Sequence, residues 1–148
     1  MVNIKRALGF GVLLWVFIFV IWSVIMFVPV LKGRLAVQYV IELAVMIPLV
    51  LLLAKWYFKQ DPPSVKKGLL LGILSLFVMA VLDLTITLPL FVGPQAGGYT
   101  AGLKQFYGSW QMWVSFAWFL ILCVFAGWEF DRTFTKNSAT KSAEKKLE

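Results

Sequence analysis

Two carboxylates carry most of the chemistry this chain can offer. Asp83 stands in Leu82-Asp83-Leu84-Thr85-Ile86-Thr87 and Glu42 in Gln38-Tyr39-Val40-Ile41-Glu42, each inside an otherwise apolar run. From Gly68 to Leu103, Asp83 is the only ionisable carboxylate or base. An acid at the centre of a membrane helix costs about 2.5 to 3.5 kcal/mol on insertion scales, so such a residue marks a functional site by default. Buried acids of this kind exchange protons or accept a cation, or else, when protonated, cross-link helices through hydrogen bonds. The residue types needed for other chemistry are missing. There is no histidine, and the single Cys123 permits neither an intrachain disulfide nor a CxxC pair. No catalytic residue, metal site or cofactor is therefore assigned, and the chain is not expected to be an enzyme.

The elements that must position these acids follow from composition. The 148 residues are 61% hydrophobic, 16% aromatic and only 14% charged, more apolar than a soluble domain of this length. The expected fold is an all-α membrane protein, a bundle of four transmembrane helices. About 20 apolar residues cross the hydrocarbon core, and spans are expected at about 7–31, 35–55, 68–92 and 106–129. The first is read as an uncleaved span, because its apolar run is too long for a signal peptide and ends without a small-x-small site. Pro48 interrupts the second. The polar segment from Gln60 to Ser64 stops it at two prolines, with Ser64 placed to cap the next helix. Gly93 to Tyr99 reads as a flexible loop, and its glycines lack the strand-preceded spacing of a phosphate-binding loop. Residues 1–131 form the expected membrane domain, and 132–148 a basic tail, disordered or a solvated, frayed helix.

The net charge of +7 does not point to nucleic acid, since the basic residues flank the apolar runs and form no stripe. Eleven Lys and Arg lie at the N-terminus, in the second loop and in the tail, against three in the first and third loops. By the positive-inside rule both termini face the cytoplasm, in the cytoplasmic (inner) membrane. The partners expected are the lipid bilayer and a membrane protein or a second copy of the chain.

At about 1.5 Å rise per residue, Ser23, Glu42, Asp83 and Ser115 all fall roughly 10 to 14 Å below the outer boundary, one polar residue from each span. Steps of three and four place Gly68, Gly72, Ser75, Met79, Asp83 and Thr87 on one stripe of span three. Gly108, Gln111, Ser115 and Trp118 form a similar stripe on span four, and Gln38 shares a face with Glu42. The expected intramembrane polar site is thus Asp83, Glu42, Gln38, Thr87, Ser23, Gln111 and Ser115. With no basic residue inside a span, at least one acid is expected to be protonated and to donate to a neighbour in this set. Trp15, Trp22 and Trp118 lie away from the interfacial aromatic belts, and Trp22 and Trp118 are the candidate lining aromatics.

Echoes between the halves suggest a duplicated helical hairpin. Lys5-Arg6, Gly11 and Val28-Pro29-Val30 correspond to Lys66-Lys67, Gly72 and Leu88-Pro89-Leu90, with the halves related by an axis along the membrane normal.

In Gly68-x-x-x-Gly72, Leu82-Asp83, Leu88-Pro89, Tyr107 and its aromatic-rich fourth span, the chain resembles small four-span integral membrane proteins of bacteria and archaea that have no assigned activity. That resemblance implies a four-helix fold and nothing about chemistry. The chain is also similar to small multidrug-resistance transporters in having four spans and a membrane glutamate. Those carry their glutamate in the first span, where this chain has only Ser23. The function expected is proton-linked transport or binding of a small cationic or polar solute by the intramembrane carboxylates. The alternative is a non-catalytic membrane subunit or assembly factor that binds partner helices or lipid.

Overall fold

The computed structural model describes residues 4–31, 33–59 and 62–144, with the backbone alone described for Met26 and for 134–144. Every regular element among them is helical. Helix α1 spans Ile4–Phe27 and ends in a short 3-10 turn, Pro29–Leu31. Gly33 follows with a positive φ of 78°, a backbone conformation that suits glycine at this reversal. Helix α2, Leu35–Phe58, runs through Pro48 without a break. Helix α3, Val65–Leu82, starts where Pro62 and Pro63 leave off, and Ser64 caps it as expected, its hydroxyl accepting from the Lys67 N–H at 3.3 Å. Residues Gln60 and Asp61 of that turn lie outside the described set.

At Asp83 the third span changes register. Asp83–Val92 is a π-helical segment, with hydrogen bonds reaching back five residues, as in Gly93 N–H to the Leu88 carbonyl. Pro89 explains part of this. Its ring clashes with an α-helical i−4 carbonyl, and it has no N–H to give. In the π register the carbonyl left without a donor is that of Leu84, five residues back, and the Tyr99 hydroxyl donates to it at 3.3 Å.

The segment from Gly93 to Tyr99, expected as a flexible loop, instead forms helix α4 at Gly93–Ala96 and leads into helix α5 at Tyr99–Tyr107. Gly97 and Gly98, both with positive φ, turn the chain between them. The turn folds α5 back against α4 and the π segment. A Cβ on Gly102 would come within 3.0 Å of the Gly93 Cα, so this return depends on two glycines meeting backbone to backbone. The sequence pattern hid it because α5 buries little besides Gly102. Helix α6 then starts at Trp110, four residues later than the expected start of span four, and continues to Glu144. The tail is therefore helical over most of its length, and residues 145–148 lie outside the described set.

Four segments are long and apolar enough to cross a membrane: Ile4–Ile25, Leu35–Phe58, Val65–Ala96 and Trp110–Thr133. Going round the bundle the order is α1, α2, α6, α3: each helix packs on its two neighbours, and the diagonal pairs α1/α6 and α2/α3 do not pack together. A two-fold along the bundle axis relating the hairpins would set α1 diagonal to α3 and α2 diagonal to α6. Both pairs are neighbours instead, so the sequence echoes do not correspond to a symmetry of the packing.

The fully buried side chains Phe10, Leu14, Val50, Tyr57, Leu71, Phe119 and Cys123 fill the half of the bundle that holds the start of α1 and the end of α2. Arg6 closes that end, its guanidinium 5.0 Å from the centre of the Trp56 ring and donating to the Tyr57 carbonyl. Small residues bring α3 close to α6 there. The Gly68 and Gly127 backbones touch, and Gly72 faces Cys123. The stripe predicted for span three faces inward: Gly68, Gly72, Ser75, Met79 and Asp83 are buried, and Thr87 at its end is half-buried.

Candidate functional site

The apolar half holds the helices together and leaves the polar residues to the other half. Asp83 stands at the α-to-π junction on the inward stripe and is 8% exposed. Its Oδ1 accepts two hydrogen bonds, from the Trp15 indole N–H at 2.9 Å and from the Thr87 hydroxyl at 2.8 Å. The first ties α1 to the third span, and the second spans one turn of the π segment. Tyr107, from the end of α5, is close enough to be influenced by the Asp83 charge, and its buried hydroxyl has no hydrogen-bond partner. Tyr107 lies outside the four spans. Burial, reinforced by Asp83 and Tyr99, pushes its phenol up to about 12.

Glu42 is 6% exposed and sits differently. Trp22 on α1 and Ser115 on α6 lie beside its carboxyl, but neither is within hydrogen-bond geometry of it. Tyr39, one turn away on α2, feels the Glu42 charge and faces Ser109. The Tyr39 ring meets the Trp22 ring edge to face, 5.3 Å between centres. Despite these neighbours, Glu42 Oε2 is buried with no hydrogen-bond partner. Leaving a buried polar atom unmatched costs about 1 to 3 kcal/mol, more when it is charged. Among the described residues this is the one fully buried carboxyl oxygen without a hydrogen-bond partner.

The candidates thus gather in two groups rather than one layer, and no hydrogen bond joins Asp83 to Glu42 among the described residues. Their indole partners, Trp15 and Trp22, are two turns apart on α1, about 10 Å at the helical rise. Counting depth from Val92 placed Asp83 too near the outer end, because the third membrane-length segment runs on to Ala96. Thr87 joins the Asp83 group, and Ser115 and Trp22 join the Glu42 group. Gln38 turns away to donate to the Leu31 carbonyl at 2.8 Å, which ties the 3-10 turn to α2. Ser23 donates to the Phe19 carbonyl of its own helix at 2.8 Å. Gln111 is half-buried on α6 and is hydrogen-bonded to neither acid. Trp118 donates to the Leu43 carbonyl at 3.1 Å, so it braces the backbone beside Glu42 instead of lining the carboxyl.

Sequence reasoning missed Trp15, Tyr39, Ser109 and Tyr107. Trp15 carried a signal, an indole N–H away from the interfacial belts that needs an acceptor. Tyr107 reaches the interior only because α5 folds back, and no local pattern announces that. No group of three or more Cys, Asp or Glu stands together to hold a metal among the described residues.

Fold and site together define an all-helical bundle with four membrane-length helices and two separate buried acids. Comparison with protein-family models, with curated proteins and with solved structures finds no match for the chain.

Proposed function

We propose that this is a multi-pass protein of the cytoplasmic membrane that binds a small cationic or polar solute inside its bundle and exchanges it for protons. Glu42 is the binding carboxylate in this reading, and Asp83 couples proton uptake to the conformation of the third span. The observation that carries it is the buried, unpartnered Glu42 Oε2, an acceptor whose desolvation no hydrogen bond offsets. Asp83 supports it by position. A titratable group whose single oxygen holds both Trp15 and Thr87 at an α-to-π junction links a proton to helix register. The starts of α1 and α3 and the end of α2 share one end of the bundle with the Gly127 region of α6. The bias of eleven basic residues against three supports placing that end in the cytoplasm.

The test is uptake into proteoliposomes under an imposed pH gradient. Wild-type protein is expected to drive accumulation of a cationic solute that collapses when the gradient is removed and is lost in the Asp83→Asn, Glu42→Gln double variant. Uptake that survives the double substitution refutes the proposal. No uptake, with stable co-purification of a second membrane protein, would shift the reading to a non-catalytic subunit.

A further inference from the structure

The Glu42 group has features that narrow the class of solute, and this inference rests on the function proposed above. We infer that the Glu42 centre is a site for a small primary ammonium cation, with Glu42 Oε2 accepting its N–H and the Trp22 and Tyr39 rings flanking its charge.

Three observations exclude the other classes. An anion has nothing to bind, because the basic residues lie at the helix ends and in the loops and none lies within a span beside Glu42. A bare metal ion wants about six oxygen ligands. Glu42 is a lone acid here, and no metal-holding group of Cys, Asp and Glu exists among the described residues. Near the carboxyl instead stands an edge-to-face pair of electron-rich rings, Trp22 and Tyr39, 5.3 Å between centres and 72° between planes. Aromatic faces attract organic cations, tryptophan most strongly. A quaternary ammonium would satisfy the rings and leave Oε2 without a donor. A primary ammonium satisfies both, and its remaining N–H groups have the Ser115 hydroxyl oxygen close at hand. A carboxyl only 6% exposed limits the guest to a small one. The exchange balances in charge: the carboxylic acid gives up its proton as the ammonium enters, leaving a carboxylate paired with one cation.

The full chain in lipid nanodiscs is titrated with ethylammonium chloride, followed by calorimetry and tryptophan fluorescence. Saturable binding is expected, weakened at least about tenfold by Glu42→Gln, since a hydrogen bond to a charged group is lost. Trp22→Phe should weaken it severalfold, up to about tenfold, through the poorer cation attraction of phenylalanine. Tetramethylammonium should bind about tenfold or more weakly than ethylammonium, and sodium should not displace it at equal concentration. The Gln variant keeps size and polarity, and its unchanged thermal unfolding serves as the control for folding. Absence of saturable binding, equal affinity for tetramethylammonium, displacement by sodium, or binding unaffected by Glu42→Gln would each overturn the assignment. If ethylammonium fails to bind while uptake of another solute still depends on both acids, the ammonium assignment falls and the transport reading stands. Glu42-dependent binding without uptake supports the site and refutes transport.

Discussion

The Trp15–Asp83–Thr87 linkage is where structure and function can be separated by measurement. Two hydrogen bonds converge on one oxygen of Asp83. The Trp15 bond joins two helices, a class that averages about 0.6 kcal/mol and reaches about 1.7 in membrane proteins, and the Thr87 bond within the third span adds about 0.5 to 1.5 kcal/mol, so the pair contributes roughly 1.1 to 3.2 kcal/mol. Placing the acid in a membrane helix costs about 2.5 to 3.5 kcal/mol. The two quantities nearly cancel, and Asp83 is therefore close to neutral for folding. Asp83→Leu should change the stability of the bundle by no more than about 2 kcal/mol in either direction, while a double-mutant cycle of Asp83→Leu with Trp15→Phe should return a coupling of about 0.6 to 1.7 kcal/mol. Asp83→Asn keeps a carbonyl acceptor for both donors and should retain most of that coupling, while abolishing any proton dependence. The assay is reversible unfolding in mixed micelles with increasing dodecyl sulfate, followed by tryptophan fluorescence and circular dichroism. A coupling below about 0.3 kcal/mol would mean that the Trp15 bond contributes nothing. A loss above about 4 kcal/mol for Asp83→Leu would refute the near-cancellation and make Asp83 a structural residue.

Two further outcomes follow from the packing and from the outer helices. Gly68→Ala should lower stability by about 1 to 3 kcal/mol, because its Cβ would fall on the Cys123 carbonyl oxygen and within 3.2 Å of the Gly127 Cα, both rigid backbone. Gly72→Ala should lose less, since its closest obstacle is the movable Leu120 Cδ2 at 2.9 Å. Thermal unfolding in detergent ranks the two, and equal losses would contradict the backbone contact between α3 and α6. The Tyr107 phenol, pushed up from an ordinary 10.0 to about 12 chiefly by burial, should develop phenolate absorbance later than a free tyrosine in an alkaline titration. The folded value lies above the unfolded one, so its contribution is fully present below pH 10 and is lost as pH rises from 10 through about 12. Tyr107→Phe should remove that part of the alkaline destabilisation, and a variant that still loses stability over the same range would show that Tyr107 is not its source.

The sequence by itself determined the number of spans, their approximate limits, the cap at Ser64 and the inward face of span three. Each of these is a property of one helix: apolar length sets a span, a three- and four-residue rhythm sets a face, and a hydroxyl before Lys67 sets a cap. It also singled out the two acids, because a carboxylate among leucines is conspicuous wherever the helix goes. Only the tertiary structure decided which partners they have. Asp83 meets Trp15 because α1 packs beside α3, and because the chain beyond Leu82 winds into a π segment around Pro89 that Tyr99 completes from another helix. Glu42 is left with an unpartnered oxygen because Gln38, its neighbour on the same face, is drawn to the Leu31 carbonyl instead. Depth counted along each helix predicted one polar layer, whereas packing order and the extension of the third span to Ala96 made two separate centres. Those two quantities depend on contacts between segments distant in the chain, and no local periodicity carries them.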